Sequence, residues 1–193
     1  MTRNAVNEGT VAASLAGRAE AFRAVCAQFA TGVVVVTTST SAGDFGATVN
    51  AFTTLSLEPP QVLVCLARTS STWAAIEEAG AFAVNVLAAD QVALARLFAT
   101  KQPDKFTRAQ VTARPGVVGA PVIEGALCTL ECTLAEAFIR NTHVVLIGQV
   151  SRWRHDPAKA PALFSAVGST RDLRPLRRLA TSPTCPLGRG PRS

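Results

Sequence analysis

The 193-residue sequence predicts a mainly β protein, an antiparallel β-barrel with peripheral helices. Apolar and β-branched runs of strand length recur along the chain, and clusters of turn residues separate them. The first two and the last two of these runs have no helical stretch between them. A doubly wound parallel sheet needs a helix between successive strands, so an antiparallel barrel fits better. The length suits one domain with a substantial core.

The first predicted elements are a short amphipathic helix and a hairpin. The helix begins near Glu20 and ends at Gly32, and apolar residues recur in it at helical spacing: Phe22, Val25, Cys26 and Phe29. Residues 33–38 are apolar or β-branched throughout and predict a strand. Residues 39–46 supply the turn, and the return strand is predicted over residues 47–57.

Glu58-Pro59-Pro60 breaks the chain before the second group of elements. Ser70, Ser71 and Thr72 offer N-cap oxygens to a short helix that Gly80 closes. The predicted elements after the break are strand 61–67, helix 73–78, strand 82–87, helix 91–100, a long surface loop over 101–119, and strands 126–138 and 143–153.

The net charge of +6 is concentrated at the end of the chain. Residues 1–170 carry 13 basic against 12 acidic side chains, whereas the last 23 residues carry six arginines and one aspartate. This predicts a loose leader over 1–17, one domain over 18–174 and a basic, disordered tail over 175–193. The near-neutral body predicts neither a nucleic-acid partner nor a membrane partner. Hydrophobic residues make up 48% of the chain, which favours a buried homodimer interface.

The five cysteines form no disulfide framework and no zinc-ligand pattern, and buried reduced thiols are the expected state. The N-terminal segment lacks the apolar core of a signal peptide, so we expect a cytoplasmic protein. No metal site is predicted from the two histidines. The sequence also lacks nucleotide-binding glycine motifs and a nucleophile elbow. The chemistry of an enzyme with this sequence therefore belongs to a bound organic cofactor.

Residues 47–60, Ala-Thr-Val-Asn-Ala-Phe-Thr-Thr-Leu-Ser-Leu-Glu-Pro-Pro, resemble the central motif of the flavin reductase-like, FMN-binding split-barrel family. Other segments follow the pattern of this family in the same order: 31–38, 61–66, 70–72 with 82–87, 104–106 and 124–132. The resemblance covers about residues 20–170. It implies a homodimeric split β-barrel that binds a flavin.

The resemblance also implies which residues bind the flavin, and the physical chemistry agrees. An isoalloxazine ring needs apolar contacts and backbone hydrogen-bonding groups, which strand backbones can supply. A phosphate needs the free N–H groups and hydroxyls of a helix start. The predicted flavin-binding residues are Thr48, Val49, Asn50, Ala51, Cys65, Leu66, Ala67, Ser70, Ser71, Thr72 and Lys105. Considered singly, each also has an ordinary structural explanation as a strand, cap or surface residue.

Residues 141–150, from Asn141 through His143 to Val150, resemble the Asp-His motif that enters the last barrel strand of the family. The resemblance implies that His143 lies near the nicotinamide. The acid before this histidine is Thr142 here. The segment 164–170 also departs from the family, because it lacks the Tyr and Arg that often precede Gly168.

The resemblance implies an NAD(P)H-dependent flavin reductase that reduces FMN or FAD with NADH or NADPH. No certain catalytic side chain is predicted, since the two bound rings exchange the hydride. Reduced flavin then passes to a separate flavin-dependent monooxygenase. Two alternatives stay open: a non-catalytic flavin-binding protein, favoured by Thr142 and the altered 165–167 segment, and a nucleic-acid-binding module that rests only on the basic tail.

Overall fold

The computed structural model describes residues 15–108, 113–165 and 172–175. The helices of this part are α1 (Leu15–Cys26), α2 (Ser71–Ala79), α3 (Val92–Phe98) and α4 (Lys105–Arg108), with a 3₁₀ turn at Ala89–Gln91. Its strands are β1 (Thr31–Gly32), β2 (Val34–Thr40), β3 (Gly43–Val49), β4 (Phe52–Leu57), β5 (Pro60–Ala67), β6 (Ala81–Val86), β7 (Ala113–Pro115), β8 (Pro121–Ile123), β9 (Cys128–Arg140), β10 (His143–His155), β11 (Ala162–Ser165) and β12 (Asp172–Pro175).

Seven strands form one antiparallel sheet in the order β3-β2-β6-β9-β10-β5-β4. The two edge strands, β3 and β4, are consecutive in the chain and are separated only by Asn50 and Ala51. Three Cα–Cα steps span at most about 11 Å, so the two edges of the sheet must lie close together. The sheet therefore curls into a barrel whose seam is left unpaired between β3 and β4, as predicted for a split barrel.

The main core fills the inside of the barrel. Trp73 and Ile76 of α2 close it from one end, and Phe82 lies at its centre, fully buried. The inward-facing residues come from alternate positions of the strands: Val34, Val36, Val62, Val64, Leu66, Val84, Cys132, Val144 and Leu146. A second cluster covers the outside of β2, where Val33 and Val35 pack against Phe98 of α3.

The alternate positions of β5, β9 and β10 face away from the barrel interior. Cα pairing puts Cys65, Val145 and Phe138 in one row across these strands, and Leu63 and Ile147 in the next row. We call these five residues the outer sheet face. Phe138 is 41% exposed, three of the others are partly buried, and Ile147 is buried.

Several sequence predictions are confirmed with small shifts in their bounds: strands β2, β5, β6, β9 and β10 and helices α2 and α3. Gly80 ends α2 in the left-handed conformation, with φ 65°, as expected for a C-terminal glycine. The helix predicted from Glu20 begins earlier, at Leu15, which lies inside the predicted leader.

Other predictions need correction. The single return strand predicted over 47–57 is two strands, because the chain crosses the barrel seam at Asn50 and Ala51. The loop predicted over 101–119 contains α4 and β7, and strands β8, β11 and β12 were not predicted. Four stretches lie outside the described part: residues 1–14, 109–112, 166–171 and 176–193. Nearly all of the predicted tail and much of the altered 164–170 segment therefore lie outside it.

Among the described helices, none is long and apolar enough to cross a membrane. The described residues contain no group of three or more His, Cys, Asp or Glu side chains that could hold a metal ion.

Candidate active site

The end of β5 and the start of β10 bring the predicted flavin and nicotinamide residues together. Ala67 and His143 are paired directly across these antiparallel strands. The backbone N–H of Arg68 donates to the carbonyl of Thr142 at 2.9 Å, which extends the pairing one residue past the strand ends. The β-strand ladder therefore fixes the position of His143 beside residues 65–68.

The barrel seam adds Asn50 and Ala51 to the same neighbourhood. The carbonyl of Ala51 accepts a hydrogen bond from the backbone N–H of Cys65 at 2.9 Å. Both seam residues are exposed and lie outside the strands on either side. A strand ladder does not occupy the backbone of Asn50, so a ligand edge can reach it.

The start of α2 follows immediately. The backbone N–H of Ser70 donates to the carbonyl of Ala67 at 2.9 Å, and Ser70 is the N-cap of the helix. Its hydroxyl makes no capping hydrogen bond, which leaves it available to another acceptor or donor. Ser71 is exposed, whereas Thr72 is 2% exposed and is part of the packed helix face. The uncapped N–H groups of this first turn form a site suited to a phosphate.

His143 is exposed at this end of the barrel. Its Nδ1 lies 2.8 Å from the hydroxyl oxygen of Thr142, so the residue that replaces the acid of the family motif still contacts the ring. Arg140 pairs with His143 on the other side, in β9. The sequence analysis missed Arg140, although the two-residue turn of Asn141 and Thr142 predicts that residues 140 and 143 face each other.

Two predicted ligand residues point mainly into the barrel. Leu66 is 2% exposed and Val49 packs against the same core, so only their backbone groups are placed to meet a ligand. Cys65 faces outward and is half-buried, and this burial raises the pKa of its thiol. The Cys65 thiol is therefore neutral near pH 7 and does not serve as a nucleophile there.

Thr48 and Lys105 have structural partners on the α3 side of β3. The Thr48 hydroxyl donates to the carbonyl of Ala95 at 2.7 Å. The Lys105 ammonium donates to the carbonyls of Gly46 and Phe98 at 3.0 and 3.2 Å, and burial lowers the pKa of Lys105. These contacts fasten α3 and α4 to the strand that leads to Asn50. The Lys105 ammonium has three N–H donors, and its hydrogen bonds to Gly46 and Phe98 use two of them.

A cavity of about 390 Å³ lies at the opposite end of β10 from His143. It is lined by Val122, Ile123, Cys128, Thr129, Arg154, His155 and neighbouring residues. None of the sequence-predicted site residues lines it. The predicted residues instead form an open surface, from the seam across the end of β5 to His143.

Comparison with known proteins gives one family. The sequence matches the family described as "Flavin reductase like domain" over residues 26–173. It is 41% identical over 140 residues to the reductase subunit HsaB of a flavin-dependent monooxygenase from Mycobacterium tuberculosis, covering 72% of this chain and 74% of that protein.

Two solved structures have the same fold. Nitrilotriacetate monooxygenase component B from Mycobacterium thermoresistibile superposes with a TM-score of 0.80 at 32% identity, over 89% of this chain and 94% of that one. The NADH:FAD oxidoreductase of Streptomyces globisporus, solved in complex with NAD and FAD fragments, has a TM-score of 0.73 at 36% identity, over 77% of this chain and 89% of that one.

Proposed function

Because this chain belongs to the flavin reductase-like domain family, we propose that it reduces FMN or FAD with NADH or NADPH. It supplies the reduced flavin to a separate flavin-dependent monooxygenase. The names of its relatives support both parts of this function, since they include a monooxygenase reductase subunit and an NADH:FAD oxidoreductase.

One observation in the structure carries the assignment: the seam, the end of β5 and the start of α2 meet beside His143. These residues fit a flavin. The seam presents exposed backbone at Asn50 and Ala51 for the polar edge of the ring, and Cys65 presents a neutral thiol on the half-buried sheet face. The predicted flavin-binding residues stay part of this proposal.

The phosphate of the flavin fits the first turn of α2. Ser70 and Ser71 offer hydroxyls there, and Thr72 offers its backbone N–H because its side chain is buried. Lys105 lies on the other side of the seam, fastened to Gly46. Two of the three N–H donors of its ammonium bind the carbonyls of Gly46 and Phe98, so Lys105 can bind a ligand only through the third.

The nicotinamide fits the surface next to His143. The imidazole is exposed and held by the Thr142 hydroxyl, so it presents one edge to a ligand. Arg68 and Arg140 are exposed on either side of it and add positive charge where a dinucleotide pyrophosphate would lie. A ligand with two phosphates therefore has charge partners on both flanks of the histidine.

A nicotinamide bound beside His143 would supply a hydride and a flavin bound at the seam would accept it, which would be chemistry of the cofactors themselves. The side chains of this chain bind and orient the two rings and keep them in contact. No side chain would have to take up or release a proton in this step.

We also propose that the protein is a homodimer and acts in the cytoplasm. The outer sheet face supports the dimer, because it is apolar and still partly exposed, most of all at Phe138, which is 41% exposed. The four cysteines of the described chain are free thiols, which is the state expected in a reducing compartment.

The test is NADH and NADPH oxidation, followed by the loss of reduced-nicotinamide absorbance, with FMN and FAD added in turn to the purified protein. We expect turnover that depends on added flavin, and the four rates assign both preferences. Flavin binding without any oxidation of NADH or NADPH would overturn the reductase function and leave a flavin-binding protein.

A further inference from the structure

The cavity at the end of β10 far from His143 has the size of a ligand site. It is lined by residues 122–126, 128–129 and 154–156, and we call it the far-end cavity. Its volume of about 390 Å³ lies within the range of small-molecule sites, about 300–1,000 Å³. None of the residues predicted to bind flavin or nicotinamide lines it, so a ligand there occupies neither cofactor surface.

One wall of the far-end cavity is held in place by hydrogen bonds. This wall belongs to the loop over residues 124–127. The last residue of the loop donates a backbone hydrogen bond to Val86 and accepts one from Asp156, both at 2.8 Å. The side chains of Gln91 and Lys159 donate to the first two carbonyls of the loop. The cavity is therefore formed before a ligand arrives, so binding orders little of the chain.

Thr129 offers an unused hydroxyl to the cavity. Thr129 is 6% exposed, and its hydroxyl makes no hydrogen bond in the described part of the chain. The hydroxyl is not sealed in, because among the described residues only Thr31 has a fully enclosed side-chain oxygen without a partner. The open space beside Thr129 is the far-end cavity, which this residue lines. A buried hydroxyl without a partner is unfavourable, so a ligand that bonds to it gains affinity.

Arg154 lies directly opposite Thr129 in the ladder of β9 and β10. The side chains of two opposite residues lie on the same face of the sheet, with their Cβ atoms about 5 Å apart. Arg154 and the neighbouring His155 are exposed, and neither makes a side-chain hydrogen bond or ion pair in the described part of the chain. A planar group with two oxygens matches the fork of a free guanidinium, and the Thr129 hydroxyl adds a third donor.

The carboxylates of the lining limit the charge of a ligand. Glu124 and Asp156 both line the cavity, and Asp156 also accepts a hydrogen bond from the backbone N–H of Ala158 at 2.9 Å. These two groups repel a doubly charged anion such as a phosphate monoester. Burial raises the pKa of Cys128, so its thiol is neutral near pH 7 and adds no further negative charge. The lining therefore favours a ligand with one negative charge, placed at Arg154.

We propose that the far-end cavity binds a small apolar molecule that carries a single carboxylate. The carboxylate pairs with the guanidinium of Arg154 and accepts a hydrogen bond from the hydroxyl of Thr129. The apolar body of the ligand lies against Ala126 and Cys128, which line the cavity beside them. This second ligand site goes beyond the proposed reductase function and does not depend on it.

The first experiment compares three probes of one shape on the full chain, without flavin or NADH. The probe para-fluorobenzoate carries one charge, para-fluorobenzamide carries none, and para-fluorophenyl phosphate carries about two at pH 8. Fluorine NMR of the probes measures their binding. We expect saturable binding of the benzoate with a Kd of about 1 mM or lower, and binding at least about tenfold weaker for the other two. Equal binding of the benzamide, or no saturation by the benzoate below about 10 mM, would overturn the proposal.

The second experiment locates the probe. Arg154→Gln removes the guanidinium, and Thr129→Val removes the hydroxyl at nearly constant volume. The matched control is Arg152→Gln, on the same strand but outside the cavity lining. We expect the Kd for para-fluorobenzoate to rise about tenfold or more in Arg154→Gln and about threefold in Thr129→Val, and to stay unchanged in Arg152→Gln.

Circular dichroism and thermal unfolding check that these variants are folded. Arg154 is exposed, so Arg154→Gln still carries the test if the variant at the buried Thr129 is unstable. A folded Arg154→Gln protein that binds the probe as tightly as wild type contradicts the proposal.

The third experiment separates the far-end cavity from the cofactor surface. Saturating FMN should leave the Kd for para-fluorobenzoate unchanged, because the two sites lie at opposite ends of β10. Displacement of the probe by FMN would place the probe on the cofactor surface and disprove the separate site. Binding of the probe to a protein that never oxidises NADH or NADPH disproves the reductase function and leaves the far-end site intact. Turnover without binding of the probe does the opposite.

Discussion

Ala67 and His143 face each other across β5 and β10, at the end of the outer sheet face. The partner of the imidazole on this side is only a methyl group, so the ring is open to solvent and to a ligand. The ladder on both sides of β10 fixes its backbone, while Thr142 holds its Nδ1. A residue so rigidly placed and so exposed is suited to orient a second substrate.

Replacing His143 should weaken the binding of NADH more than the binding of the flavin. His143→Gln removes the imidazole from the exposed site and leaves the barrel core untouched. We expect the KM for NADH to rise about tenfold while kcat changes about twofold or less, the pattern of a lost binding contact. Steady-state kinetics at saturating flavin measures both. A loss of flavin affinity equal to the loss for NADH would place His143 in the flavin site instead.

Lys105 should contribute to stability through its two carbonyl contacts. Lys105→Met leaves the carbonyls of Gly46 and Phe98 without these donors and should lower the free energy of unfolding by about 1–3 kcal/mol. Urea unfolding measures the change. Lys101→Met, at an exposed position in the same segment, should be nearly neutral. Equal stability of the two variants would show that the contacts of Lys105 are not stabilising.

Gly148 should tolerate no side chain. A Cβ at this position of β10 meets the buried ring of Phe82 and lies 3.0 Å from the Cβ of Cys132. We expect Gly148→Ala to destabilise the barrel by about 1–3 kcal/mol, the usual cost of overpacking. A Cβ at Gly32 meets nothing within 4 Å, so Gly32→Ala is the control. Similar melting temperatures for the two variants would contradict this packing.

The thiols should react in an order set by burial. Burial, together with the charge of Glu131, raises the pKa of Cys132 to about 12, and burial also raises the pKa of Cys65 and Cys128. A raised pKa means less thiolate at any given pH, and the thiolate is the reactive form. Cys26 is exposed. Iodoacetamide at pH 8 should modify Cys26 well before Cys132, as read by peptide mass mapping; the reverse order would refute the burial of Cys132.

Much of the fold was predictable because it depends on local pattern. A β-branched run predicts strand β2 and a glycine predicts the end of α2, and each signal depends only on a few neighbouring residues. Both predictions were confirmed. The break at Asn50 was not predictable in this way. Residues 47–57 have strand propensity throughout, and what divides them is their pairing, since β3 pairs with β2 at one edge of the sheet and β4 pairs with β5 at the other.

The candidate site was also predictable where it depends on local sequence and not predictable where it depends on contacts between distant residues. The order of motifs identified the stretches around Asn50, Ser70 and His143, and the structure brings these stretches together. The sequence could not show that the Lys105 ammonium donates hydrogen bonds to the carbonyls of Gly46 and Phe98, because every residue has a backbone carbonyl and no residue type marks the one that is used. Arg140 was missed for a related reason: its importance comes from its pairing with His143 rather than from a motif.

The two-residue seam between β3 and β4 also has a consequence for folding. The β2–β3 and β4–β5 hairpins are local in sequence, whereas the pairing of β5 with β10 joins distant parts of the chain. Local hairpins close quickly and distant pairings close slowly. The cofactor surface is therefore assembled by the last steps of folding. A ligand bound there should protect the whole chain against unfolding, by an amount set by its concentration and affinity.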